Sequence, residues 1–243
     1  DPTNFNTAWN HPEPFQRKKW REGIEKEFAK MKQNVVWKKI KRSTIPEGRR
    51  CVKCKWVFGI KRNGVFRARL VACGYSQIAG VDFTQVFSPV CNDMTFRIVI
   101  IFMMVNRYDA LIFDVMTAFL NGDLEEEIYM ECPEGMENSD DECLLLLKTI
   151  YGLVQASRQY HIKFATILKE IGFAQCKSDP CLFYRNDEDG VCVVLTYVDD
   201  NLCVGPRAAL EKTCRQVREK GLELTVESEL SDYLSCEIKF NGD

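Results

Sequence analysis

The sequence predicts an α+β fold with a mixed sheet, and three observations carry that expectation. Segments with apolar residues at three- and four-residue spacing alternate along the chain with short apolar runs of strand length. An Asn63-Gly64 pair stands between two stretches in which apolar and charged residues alternate, the local signature of a hairpin. Neither a Gly-rich phosphate loop nor an internal repeat interrupts the pattern. The helices are expected on one face of the sheet. A chain of 243 residues with 46% hydrophobic content can bury the core this requires, in one or two domains.

Each element follows from local chemistry. Trp20, Ile24, Phe28 and Met31 share one side of a helix over residues 12–33, whose outer face is basic. The hairpin arms are 55–61 (KWVFGIK) and 65–72 (VFRARLVA), which project Lys55, Lys61, Arg67 and Arg69 from a stiff support. Asn92-Asp93 can cap a helix running to about Asn106. A buried strand over 110–115 (ALIFDV) follows, apolar except for Asp114. Further strands are expected at 127–132, 181–185 and 191–197, with a short apolar run at 144–147. A long helix over 157–171 ends at Gly172. Asp199-Asp200 stands at the turn of a second hairpin, since 201–204 resumes apolar character. A helix over 207–220 and a closing strand over 233–240 complete the order.

Net charge is −2, which by itself argues against a generic nucleic-acid binder. The distribution argues the other way: residues 17–69 hold 19 Lys and Arg against four Asp and Glu, whereas 123–142 holds ten acidic residues and no basic one. A one-sided basic block of that size is either the footprint of a polyanion site or a solvated helix and hairpin. The longest apolar run, 98–105, is far short of the roughly 18–20 residues that span a bilayer, so no membrane partner is expected. The chain opens without Met and without a secretory pattern, as a piece of something longer would. Its 12 cysteines are scattered singly and mostly within apolar runs, which suits reduced core thiols. Cys51-x-x-Cys54 alone has the spacing of a half zinc site or a redox pair, but only two histidines and no second such pair accompany it.

Burying a carboxylate at the end of an apolar strand costs several kcal/mol unless it is paired or ligated. Asp114 and Asp199-Asp200 occupy such places. Two chemistries explain them: Asp114 caps a turn while Asp199-Asp200 forms a hairpin tip, or the oxygens of both segments share divalent metal for in-line phosphoryl displacement.

The flanking residues carry a resemblance. Tyr197-Val198-Asp199-Asp200 resembles the Y-x-D-D box of reverse transcriptases, and residues 114–122 (DVMTAFLNG) resemble the matching box of copia-type LTR retrotransposons. Residues 55–58 (KWVF), 67–72 (RARLVA), 87–90 (FSPV), 128–130 (IYM) with 133–135 (PEG), and 151–158 (YGLVQASR) follow that family's order and spacing, over about 9–240. The resemblance implies a right-hand polymerase with fingers and palm, the palm being an antiparallel sheet packed on helices. Residues 1–109 would be mainly fingers, with the basic hairpin at 55–72; 110–132 would hold the palm strand with the first catalytic Asp; 133–160 would return to the fingers; and 161–243 would be palm with the YVDD hairpin and the primer grip. Thumb and RNase H are expected to be absent.

By the same resemblance Asp114, Asp199 and Asp200 form a triad for two Mg²⁺ ions, with Mn²⁺ as a substitute, and the backbone at Val115 faces the incoming triphosphate. Phe119 and small Ala118 shape the sugar site, Phe119 excluding a 2′-hydroxyl. Gln155 supports the nucleotide, and Arg67 or Arg69 grips its phosphates, with Lys55 or Lys61 as alternatives. Lys55, Lys61, Arg158, Tyr197 and Tyr233 face template and primer. The implied partners are a template-primer duplex, dNTPs and the remainder of a Pol polyprotein with integrase and RNase H. The implied location is a cytoplasmic virus-like particle or the nucleus. Departures from the family pattern are Val154 and Ser157 around Gln155, Cys73 after the 67–72 box, and Ser235-Cys236 in the primer-grip segment. They leave the triad intact but weaken the expected hold on template. The competing functions are a decayed copia-derived domain that binds nucleic acid without turnover, and another two-metal phosphotransferase such as a nuclease.

Overall fold

A computed structural model describes residues 1–61, 64–227, 232–233 and 236–237. Two helices open the chain, α1 (Phe5–Trp9) and α2 (Pro14–Gln33), followed by β1 (Trp37–Lys41), β2 (Cys54–Ile60) and β3 (Phe66–Ala72). Helix α3 (Asp93–Asn106) leads into β4 (Asp109–Val115), β5 (Asp123–Met130) and β6 (Glu142–Lys148). After α4 (Ala156–Glu170) come β7 (Ala174–Gln175), β8 (Leu182–Asp187), β9 (Gly190–Tyr197) and β10 (Asp200–Gly205). The described chain closes with α5 (Arg207–Glu219), β11 (Leu224–Glu227), β12 (Asp232–Tyr233) and β13 (Cys236–Glu237). Every strand pair in these sheets is antiparallel.

The chain folds as two compact units, residues 1–87 with 119–159, and residues 88–118 with 160–243. Residues 88–109 fall with the second unit and 119–132 with the first. For α3 the reason is its packing, because Val99 and Met103 bury against Ile112, Leu195 and Leu202 of the second unit's sheet.

The first unit is built on α2. Trp20 is fully buried, with its ring edge-on to Phe66 at 4.6 Å and to Phe58 at 5.5 Å, so the helix is pinned to the β2–β3 hairpin by aromatic contacts. The hairpin register pairs Val57 with Arg69 and Gly59 with Arg67. Strand alternation therefore puts Trp56, Phe58, Ala68 and Leu70 inward and the arginines outward. Asn63 of the expected turn signal lies outside the described residues; Gly64, at φ +78°, donates its N–H to the Lys61 carbonyl. A separate sheet of order β1-β6-β5 completes the unit. The segment after it turns at Gly152 (φ +87°) against the end of β3, where Ala72 N–H donates to the Tyr151 carbonyl at 2.8 Å. A Cβ at Gly152 would meet the Ala72 carbonyl and one at Gly74 the Gly152 carbonyl, so only glycines allow this backbone approach.

The second unit holds a six-stranded sheet of order β11-β4-β10-β9-β8-β7. Helices cover both of its faces, not one as the sequence suggests. Ile112, Leu195 and Leu202 meet α3, while on the opposite face Phe113 packs edge-on against Phe164 of α4 at 6.2 Å and Cys192 approaches Thr213 of α5 at 3.6 Å. The cause is visible in β4, β9 and β10, which are apolar at nearly every position and so must be buried on both sides. The Asn92 cap is present, its side chain accepting from Met94 N–H at 2.8 Å. Of the expected closing strand over 233–240, the described part is two short strands, β12 paired with β13; residues 234–235 and 238–240 lie outside the described residues.

Glu27 of α2 is only 6% exposed, and burial, its largest influence, raises its carboxyl above the ordinary range against the opposing pull of Lys30, the Leu70 backbone and Arg69. A carboxyl raised on folding contributes stability that is complete below its unfolded pKa and lost as pH rises through the folded one. Glu27→Gln should therefore gain stability relative to the parent as pH rises from about 4 to about 8, read by urea unfolding at each pH; parallel pH curves would contradict this.

Candidate active site

The site begins with register. Asp114 of β4 lies directly opposite Asp200, the first residue of β10, and Asp200 in turn opposite Tyr197 at the end of β9. On its other edge Asp114 faces Thr225 of β11. Residues directly opposite in an antiparallel pair share a sheet face, so Thr225, Asp114, Asp200 and Tyr197 form one row across four strands. The neighbouring row on that face is Ile112, Leu202 and Leu195, which α3 covers. The Asp row differs: Asp200 and Tyr197 are exposed and Asp114 half-buried.

Val115 N–H donates to the Asp199 carbonyl at 3.1 Å. A bond between the residues flanking a pair marks that pair as the closely spaced, non-hydrogen-bonded kind, with Cα atoms about 4.5 Å apart. Two carboxylates thus face each other at the shortest spacing a sheet provides. Asp200 belongs to the strand, so the turn itself consists of Val198 and Asp199. Val198 has φ 56°, a conformation that hairpin turns ordinarily reserve for glycine. Thr117, three residues beyond Asp114, also has φ 56°. Such positions cost about 1–3 kcal/mol each for a non-glycine residue and cluster at functional sites.

From the opposite face, fully buried Asn201 donates Nδ2 to the Asp199 carbonyl at 2.8 Å and to the Phe113 carbonyl at 3.3 Å. Tyr160 of α4 is 2% exposed. Burial holds its hydroxyl far above the ordinary range, the charges of Asp199 and Asp114 push it further, and a hydrogen bond with Asn201 opposes them. Neither residue is singled out by the sequence motifs. The available signal is a polar Asn inside the apolar stretch after Asp200, at a position where the strand pattern demands a core residue.

The chemistry of the donor set suits a hard divalent cation, because Mg²⁺ takes one or two carboxylates and fills its remaining positions with water and phosphate. Asp114 and Asp200 supply such a pair, with Asp199 beside them on the turn. Among the described residues, no three His, Cys, Asp or Glu side chains form a ready-made metal cluster. The Cys51 and Cys54 thiols are pushed up to about 11 and about 12, by burial foremost. This is the reverse of a reactive or metal-binding thiolate.

Most of the other expected site residues belong to the first unit, whereas Val115, Ala118 and Tyr233 belong to the second. Lys55, Lys61 and Arg67 are exposed on the hairpin. Arg69 is engaged: its guanidinium lies over the Tyr151 ring at 4.3 Å, and Phe119 meets the same ring edge-on at 5.2 Å. Tyr151 is thus a shared support that the motif reading overlooked. Its nearest sequence signal is its place in the 151–158 box. Arg158 is held by Gln85 and by Glu125 at 3.9 Å. Tyr233 lies on β12, its side chain outside the described residues. Ala118 and Val115 are buried.

Gln155 is engaged within the first unit. It is fully buried, and its amide is already in use: Gln77 Nε2 donates to its Oε1 at 3.0 Å, while its own Nε2 donates to the Asp82 carbonyl at 2.9 Å and to Glu126 at 3.4 Å. The side chain braces residues 77–82 against the start of α4.

Comparison with known proteins gives two kinds of match. Residues 34–243 match the family model described as Reverse transcriptase (RNA-dependent DNA polymerase). The chain is 35% identical over 239 residues to the retrovirus-related Pol polyprotein from transposon TNT 1-94 of Nicotiana tabacum, covering 95% of this chain and 17% of the relative. It is 32% identical over 228 residues to the Pol polyprotein from transposon RE2 of Arabidopsis thaliana, covering 91% and 16%. Similarity to the transposon Ty1-BL Gag-Pol polyprotein of Saccharomyces cerevisiae is 24% over 236 residues, covering 93% and 13%. The chain thus spans about a sixth of the length of its plant relatives.

Gln155→Leu strips partners from Gln77 and the Asp82 carbonyl, and a buried polar group left unpaired costs about 1–3 kcal/mol. A urea midpoint lowered by that amount is the expected result; an unchanged midpoint would mark Gln155 as a surface contact.

Proposed function

Because the chain belongs to the reverse transcriptases of copia-type LTR retrotransposons, we propose that it extends a primer 3′-hydroxyl with dNTPs on an RNA or DNA template. The hairpin-bearing unit acts as fingers and the six-stranded sheet as palm. The single observation that carries this reading is the pairing of Asp114 with Asp200 at the open end of an otherwise buried sheet. Two carboxylates directly opposite each other offer the oxygen donors that a hard divalent cation takes. Asp114, Asp199 and Asp200, with the backbone at Val115, would hold Mg²⁺ or Mn²⁺. When bound, such ions lower the charge on the attacking and leaving oxygens of a phosphoryl transfer.

The chain's own residues do the rest. Exposed Arg67 presents a guanidinium fork to the β- and γ-phosphates. Arg69, stacked on Tyr151, instead stiffens the ring behind Phe119, so that Phe119 can exclude a 2′-hydroxyl without giving way. Lys55 and Lys61 supply positive field for the nucleic-acid backbone, which suits an enzyme that copies any sequence. Gln155 acts by positioning, through Gln77 and Asp82. Its relatives are Pol polyproteins, and the chain would work within one, beside integrase and RNase H in a virus-like particle. Among the described residues no helix is long and apolar enough to cross a membrane. A second reading, a domain that binds nucleic acid without turnover, is favoured by one observation: the described residues hold no ready-made three-ligand cluster.

Primer extension on poly(rA)–oligo(dT) with dTTP separates the two. Metal-dependent extension is expected, abolished by chelator. Asp199→Asn should lower it by about 10³-fold or more, since a lost metal ligand removes several kcal/mol of transition-state stabilisation. Duplex binding by the variant should stay within about threefold, because the basic surface is intact. Tight binding without extension by the parent chain would favour the binding-only reading; equal loss of binding in the variant would overturn the assignment of Asp199.

A further inference from the structure

We infer that Asn201 is a positioning residue: from the face of the sheet opposite Asp114 and Asp200, its side-chain amide holds the carbonyl of Asp199 and so fixes the turn that presents the second and third carboxylates. The inference rests on the reading of the Asp row as the catalytic centre.

Four observations converge on this role. Asn201 is fully buried in β10, in a row with Phe113 and Thr196. The rows beside it on the same face are those of Leu111 and Cys203, so the pattern of the strand calls for an apolar side chain at this position. Its Nδ2 reaches two carbonyls, that of Asp199 in the turn and that of Phe113 in the neighbouring strand, and so ties the hairpin tip across to β4. The Asp199 carbonyl also accepts from Val115 N–H, which makes it the junction of a main-chain bond and a side-chain bond. The turn so held is the one with Val198 at φ 56°, which needs external bonds to persist.

The arrangement is poorly explained as stability alone. Burying an amide in this row costs desolvation that an apolar residue of similar size would avoid. What the amide supplies in return is a fixed distance between the turn and β4. A displacement of about 1 Å at reacting groups can lower turnover by about 10²-fold without changing ground-state binding.

The test compares the parent chain with Asn201→Leu, close in volume, and with Asn201→Thr, which suits a strand if Leu overpacks. Amide hydrogen exchange at Val115 reads the tie directly and needs no activity. Exchange at Val115 should quicken at least about tenfold in both variants, while the Leu111 and Phe113 amides of the same strand keep their protection. On poly(rA)–oligo(dT), kcat should fall by about 10²-fold with KM for dTTP within about threefold. Unchanged Val115 protection, or faster exchange with unchanged kcat, would overturn the inference. Exchange that rises equally at all three amides would do so too, since it would reveal a merely structural residue. If the parent chain extends no primer, the reverse transcriptase reading fails by itself, and the exchange contrast still decides whether Asn201 holds the turn.

Discussion

Register between β4 and β10 is the constraint on which the rest of the second unit depends. Side chains alternate faces along a strand, so a slip of one residue would send Asp114 toward the buried α4 face and Phe113 toward the open end. That exchange would bury a carboxylate against aromatic rings and expose one of the largest buried side chains in the protein. The pairing of Leu111 with Cys203, Ile112 with Leu202 and Phe113 with Asn201 therefore fixes where the carboxylates stand before any ligand is considered. The carboxylates stand where the sheet runs out of helical cover.

The first unit meets a different demand with the same means. A basic hairpin must be held still while its outer face stays solvated. The aromatic contacts of Trp20 with Phe58 and Phe66 supply the hold from below. From the other side Tyr151 packs between Arg69 and Phe119, carried there by the close approach of the Gly152 backbone to β3. The result separates two arginines that look equivalent in sequence: Arg67 is exposed, whereas Arg69 is half-buried and stacked on Tyr151.

Much of this was legible in the sequence because it is local. The apolar spacing of Trp20, Ile24 and Met31, the Asn92 cap, the alternation around the hairpin and Gly172 after α4 each determine their element within one or two turns of chain. The strand ends at Asp114 and Asp200 were legible as the places where an apolar run meets a charge. What was not legible depends on pairing at a distance. Helix α3 is apolar nearly all round, with Ile98, Ile101 and Met104 exposed, so its pattern could not say which side of the sheet it covers. Gln155 reads as a nucleotide contact in a motif, yet its burial is decided by Gln77 and Asp82, more than 70 residues away. Tyr160 and Asn201 acquire meaning only once α4 and β10 are brought together.

The central claim is that Asp114 and Asp200, opposite each other in the sheet, would hold a divalent cation. Thermal unfolding with and without Mg²⁺ tests it without any substrate. At Mg²⁺ about five times its dissociation constant, linkage predicts about 1 kcal/mol of added stability and a rise in Tm of about 2–4 °C. In the Asp114→Asn, Asp200→Asn double variant the carboxylate ligands are gone, so the Mg²⁺ response should vanish. A double variant that responds to Mg²⁺ as the parent chain does would contradict the account.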